Sequence, residues 1–140
     1  MHFPLILLLM AALLLFPGCG SDPSDTQGPT VEQLAPADGF ETQPGQQFYA
    51  QARLADESGI QAVRFFIHSV EDGHGHGKRG EERVVFALDS ITSLEGAAQH
   101  LMDLPVRVPS NAQAGRYNWH ILAFDVHGNE SEVLVGDFSI

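Results

Sequence analysis

The sequence predicts an all-β domain, and three observations carry that prediction. Apolar residues recur with period two from about residue 30 onward. Clusters of Gly, Pro, Asn, Asp and Ser break the alternation at roughly ten-residue intervals. No segment shows the 3.6-residue apolar spacing of a convincing amphipathic helix.

The first strand is expected at TVEQLAP (30–36). In QQFYAQARLAD (46–56), Phe48, Ala50, Ala52 and Leu54 share one face, and Gln47, Tyr49, Gln51 and Arg53 the other. ADESG then reads as a turn. IQAVRFFIHSV (60–70) alternates again, with Val63, Phe65 and Ile67 inward and Arg64, Phe66 and His68 outward. ERVVFALDSI (82–91) is a fourth candidate strand, followed by a polar, small-residue connection. LMDLPVRVPS (101–110) sets Leu104, Val106 and Val108 on one face. GRYNWHILAFD (115–125) sets Tyr117, Trp119, Ile121 and Ala123 inward, VHGNES turns the chain, and EVLVGDFSI (132–140) closes it. About seven short strands without a helix predict an immunoglobulin-like antiparallel β-sandwich over residues 30–140.

The N-terminus has a different character. Residues 3–16 form an apolar run too short to span a bilayer and suited to a signal-peptide core. It ends in Phe16-Pro17-Gly18-Cys19, which resembles a bacterial lipobox. That resemblance implies a lipoprotein signal peptide at 1–18 and lipidation of Cys19. Gly20 after the cysteine leans towards the outer membrane of a bacterial envelope. Residues 19–29, rich in Ser, Asp, Pro and Gly, read as the lipidated Cys and a flexible tether. With a formal charge of -11 and seven Lys+Arg, the chain cannot bind nucleic acid or anionic headgroups through phosphate neutralisation. The lipid anchor must therefore hold it to the membrane. A single cysteine leaves the folded part without a disulfide, so an apolar core must stabilise it.

The segment VRVPSNAQAGRYNWHILAFDVHGNES is similar to the closing half of many bacterial immunoglobulin-like domains. The matching residues are Val106, Val108, Pro109, Gly115, Tyr117, Ala123, Asp125, Gly128 and Asn129. Asp125 is placed to bond the amides of its own turn. A second resemblance covers most of residues 28–140. Ile67 and His68, the loop Asp72-Gly73-His74 with His76, then Tyr117, His120 and the Asp125 turn resemble an uncharacterised family of secreted bacterial lipoproteins, the domain-of-unknown-function family 4625. The resemblance implies a lipid-anchored immunoglobulin-like module with a histidine-rich loop and no established activity.

The histidines carry the chemistry. Strand parity turns His68 outward beside Ile67, and His120 outward between Trp119 and Ile121. In an immunoglobulin sandwich these two strands pair antiparallel. One register sets His68 opposite His120; the other sets it opposite Asn118, with His120 diagonal. Either brings two imidazoles within reach of one metal. His74 and His76, spaced by glycines, leave from the same end of the sheet. The four are expected to ligate Zn or Cu, since imidazole suits these ions and calcium and magnesium prefer oxygen. The Gly-His loop read alone is equally a flexible hairpin connection. His100 is a second-tier candidate, either a fifth ligand or a packing residue. Asp72 either ligates, orients an imidazole or forms the Asp-Gly turn. His127 falls at the opposite end and is excluded. Asp56, Glu57 and Asp125 share an end of the sandwich and read as turns, or as a calcium site.

There is no serine-nucleophile motif, phosphate-cradling glycine loop or dinucleotide fingerprint, so a non-enzyme is expected. The function expected is envelope metal capture, buffering or delivery. The alternative is a structural or adhesive module binding an envelope protein through the outward face carrying Phe66, Leu122 and Phe124.

Overall fold

The computed structural model describes residues 25–70 and 83–140. Among them are six strands and no helix: β1 (Thr30–Ala35), β2 (Phe40–Glu41), β3 (Gln47–Ser69), β4 (Leu88–Arg107), β5 (Arg116–Asp125) and β6 (Leu134–Ser139). They join in one curled, mixed sheet in the order β1-β3-β5-β6-β2, with β4 paired to β3 off that path. All pairings are antiparallel except the short one between β2 and β6.

The predicted inward rows are the buried rows, except that Phe48 and Leu104 are half-buried against the core. Ala50, Ala52, Leu54, Val63, Phe65, Ile67, Tyr117, Trp119, Ile121 and Ala123 are each at most 2% exposed. With Val106, Val108 and Phe138 they form one hydrophobic cluster. Burying one Val, Leu, Ile or Phe side chain stabilises by about 1.5–3 kcal/mol. A one-residue slip would turn a whole row to water, so the alternation also fixes the register.

Two expectations need correction. The chain does not reverse at ADESG: residues 46–56 and 60–70 are parts of one strand, β3, bent by a bulge. Asp56 Oδ1 accepts hydrogen bonds from Ser58 N at 2.8 Å, Ser58 Oγ at 2.5 Å and Gly59 N at 3.0 Å. Gly59 has φ +105°, and across the pair Glu95 and Gly96 also have positive φ. The register shifts between Ala55 and Ile60 and again before Ala62. Extra residues in one strand bend it locally, and here they switch the inward positions from even-numbered Leu54 to odd-numbered Val63.

The second correction concerns the expected strand at 82–91. Val84 makes only an isolated bridge to Ala112, and the strand begins at Leu88. From there β4 runs through the polar stretch, which is strand and not connection, to Arg107. Backbone pairing with β3 supports this segment without apolar alternation. About seven separate strands are thus six, two of them long.

The turn after β5 forms as its residues dictate. Asp125 Oδ1 accepts from His127 N at 2.8 Å and Asn129 N at 2.7 Å. Gly128 takes φ +88°, a conformation open to glycine at no steric cost.

Candidate metal centre

His68 lies at the end of β3 and His120 in the middle of β5. The register pairs Phe66 with His120 and His68 with Asn118, which makes the two histidines diagonal neighbours. Both project from the outward face: His68 is exposed and His120 half-buried. Their Nε2 atoms are 2.8 Å apart. His68 Nδ1 is 3.0 Å from the Ser69 carbonyl oxygen, so this nitrogen donates and the His68 Nε2 lone pair is left facing His120. His120 Nε2–H completes the contact as donor.

Were a metal ion to bind here, the two Nε2 atoms would hold it and His120 would carry its proton on Nδ1. Ligating histidines commonly donate their second ring nitrogen to a carbonyl, as His68 does to Ser69, which fixes the tautomer and ring orientation. Burial, and next the charge of His68, hold the His120 imidazole below the ordinary histidine range. Neutral imidazole is the ligating form. The His120 ring also lies parallel to Phe66, with centroids 4.4 Å apart and 1° between planes.

The remaining candidates fall elsewhere. His74, His76, Asp72 and Cys19 lie outside the described residues. His100 is not near the pair: it sits within β4, half-buried opposite Leu54, across the Asp56–Gly59 bend from His68. Its position fits packing. His127 is exposed in the turn after β5.

A family model described as a domain of unknown function, DUF4625, matches residues 18–139. The chain belongs to this family. Membership agrees with the resemblance read from the Ile-His strand end and the Asp125 turn. No curated protein matches the chain. Among solved structures, the chain is similar to a family 76 glycoside hydrolase from a bovine Bacteroides thetaiotaomicron strain. That match has 12% identity and a TM-score of 0.43, and covers 77% of this chain but only 20% of the hydrolase. It is also similar to a late embryogenesis abundant (LEA) protein, at 10% identity and a TM-score of 0.40, covering 80% and 71% of the two chains. Neither similarity bears on function.

One cluster differs from its expected membership. Asp25, Asp56 and Asp125 present ligand oxygens within 4.8 Å of one another, whereas Glu57 stands apart from the group. Asp25 escapes sequence reading because it belongs to the tether before β1. It is brought in where Asn129 Nδ2 donates to the Asp25 carbonyl oxygen at 2.9 Å and to Asp125 Oδ2 at 2.6 Å. Desolvation opposes ionisation of Asp125. The Asn129 side chain and the amides of Asn129, His127 and Gly128 outweigh it and hold the carboxyl below the usual range. All three carboxylates accept local hydrogen bonds, which accounts for them as turn formers.

Proposed function

We propose that this chain is a non-catalytic, lipid-anchored protein of the bacterial envelope that binds a transition metal, Zn(II) or Cu(II), for capture, buffering or delivery. His68 and His120 are the fixed ligands, His74 and His76 complete the set, and lipidated Cys19 anchors the chain to the outer membrane. The observation that carries this reading is the 2.8 Å approach of two imidazole Nε2 atoms on an open sheet face, with His68 oriented from behind by Ser69. Such a pair is an ordinary hydrogen bond without a metal, and a preformed half of a coordination sphere with one.

The finer fold reading is an immunoglobulin-like sandwich. Tyr117 Oη donates to the Gln113 carbonyl oxygen at 2.7 Å, which resembles the tyrosine corner of such domains. The inward rows from both halves of β3 meeting in one cluster support it too.

Titrating Zn(II) and Cu(II) into the full-length protein in detergent tests the metal reading. Binding is expected to be tighter than about 10 μM and to be lost when His68 and His120 are both replaced by alanine. Weaker binding, or binding that survives the double substitution, defeats it. The alternative, a protein-docking face, is favoured by Val135, 48% exposed opposite His120, and by Ile91, 68% exposed opposite Arg64 on β4. Partner binding insensitive to chelator but lost in Ile91→Asp would support it.

A further inference from the structure

Two nitrogens make only half a coordination sphere, because a closed site of this kind takes four ligands. Among the described residues, His68 and His120 are the imidazoles that meet; His100 lies across the bend and His127 in the turn after β5. In a single chain the other two positions go to His74 and His76 on the reading above. A second copy of the chain offers a further pair, already oriented in the same way.

The pair stands where such a copy can reach it. Phe66 is directly opposite His120 across β3 and β5, where Cβ atoms are about 4.5–5.5 Å apart. Their rings are parallel, with centroids 4.4 Å apart, and the His68 ring follows at 4.8 Å from His120. Rings that keep the strand spacing stand off the sheet side by side. Sheets packed face to face are about 10 Å apart, so a metal midway between two such faces is about 5 Å from each, within reach of an upright imidazole.

Charge and area decide what holds such a contact. The chain carries a formal charge of -11, which drives copies apart, but the acidic side chains flanking the pair are matched locally. Asp89, opposite Phe66, accepts from Arg64 Nε at 2.8 Å and Nη2 at 2.6 Å. Asp137, opposite Asn118, lies 3.6 Å from Arg116 Nη2. With exposed Val135 opposite His120, the face is locally neutral and partly apolar, which keeps like charges from meeting across it. Four strands wide, with the β3–β5 pair running over Ile60–Ser69, the face offers roughly 500 Å² a side at ordinary sheet spacings. That is short of the about 800 Å² per partner of a standard stable interface. Apolar contact alone does not hold two copies together, and a shared metal has to supply the rest.

We infer that a metal ion held by His68 and His120 bridges two copies of this chain about a two-fold axis, each copy supplying two of four imidazoles. The inference rests on the metal-binding reading above and differs in where the last two ligands come from. Sedimentation of the full-length protein in density-matched detergent, titrated with Zn(II) or Cu(II), tests it. The protein is expected to pass from one chain to two, to saturate at one metal ion per two chains, and to return with chelator. His68→Ala combined with His120→Ala stays a single chain, whereas His74→Ala combined with His76→Ala still pairs. Val135→Asp sets carboxylates against each other across the axis and weakens pairing by about tenfold or more, with circular dichroism reporting an intact fold. A single chain holding one metal ion at saturation, pairing that requires His74 and His76, or pairing that survives chelator overturns the bridge and leaves metal binding standing. Failure of both Zn(II) and Cu(II) to bind removes the metal reading itself.

Discussion

Replacing Gly136 by alanine probes the packing that holds β5, the strand carrying His120, against β6. Gly136 faces Trp119 across that pair, and the indole lies directly on its backbone. A Cβ at this position would stand 2.0 Å from Trp119 Cζ2, 2.2 Å from Cε2 and 2.5 Å from Asp38 Oδ1. Carbon atoms pack at about 3.5–4.0 Å, so the ring would have to retreat by about 1.5 Å. Trp119 is 1% exposed and has no space to retreat into without disturbing its neighbours. Overpacking of a core generally costs about 1–3 kcal/mol, and two rigid ring carbons at this distance place the substitution at the upper end. A loss near 3 kcal/mol lowers the melting temperature by at least about 12 °C for a domain of this size. Thermal denaturation by circular dichroism measures the loss, and the fluorescence of the chain's single tryptophan reports the local disturbance. Trp119→Phe removes Cζ2, the nearer of the two clashing carbons. Its indole Nε1 has no hydrogen-bond partner among the described residues, so the change sacrifices no polar contact. The double variant should therefore lose less than the sum of the single losses. A Gly136→Ala protein within about 0.5 kcal/mol of wild type, or strict additivity in the double variant, refutes the reasoning.

Tyr117→Phe deletes the bond to the Gln113 carbonyl and should cost about 0.5–1.5 kcal/mol, seen as a lower urea midpoint with an unchanged slope. Gly59→Ala puts a Cβ 2.6 Å from the Gly96 carbonyl oxygen at φ +105°; a loss of more than about 2 kcal/mol is expected, and a stable variant would show that the bend relaxes easily. Since the His120 pKa is lowered in the fold, the unfolded chain takes up its proton first. The contribution is complete above the ordinary histidine value of 6.5 and is lost as pH falls through the lowered folded value. Melting temperature should thus drop from pH 7.5 towards pH 5, less steeply in His120→Gln, and metal affinity should fall in the same direction.

The outward parity of His68 and His120 was readable because Ile67 and Trp119 are unmistakable core residues, and a strand has no choice but to alternate. Their pairing needed only that β3 and β5 be neighbours. Which of two registers holds was not readable, since both keep the same faces buried. The bend at Asp56–Gly59 was misread because Asp, Ser and Gly serve a bulge and a chain reversal equally well: in each, a carboxylate accepts from amides two and three residues on. The strand through residues 92–100 carries no apolar pattern at all, and only pairing with β3 reveals it. Asp25 joined the acidic cluster through Asn129, a contact between residues 104 positions apart that no local pattern announces.

The uninterrupted path of β3 through its bend also bears on the order in which the chain assembles. Because β3 and β4 are consecutive and antiparallel, their rungs run from Ile67–Leu88 outward to Gln47–Arg107. Each rung shortens the closure needed for the next, so the ribbon is expected to zip from its inner end. His68 lies at that inner end and takes its place early. His120 arrives only when β5 docks on the other side of β3, with the inward rows closing over Tyr117 and Trp119. The two imidazoles therefore meet only in a chain in which β5 has docked on β3, so their contact reports that non-local pairing.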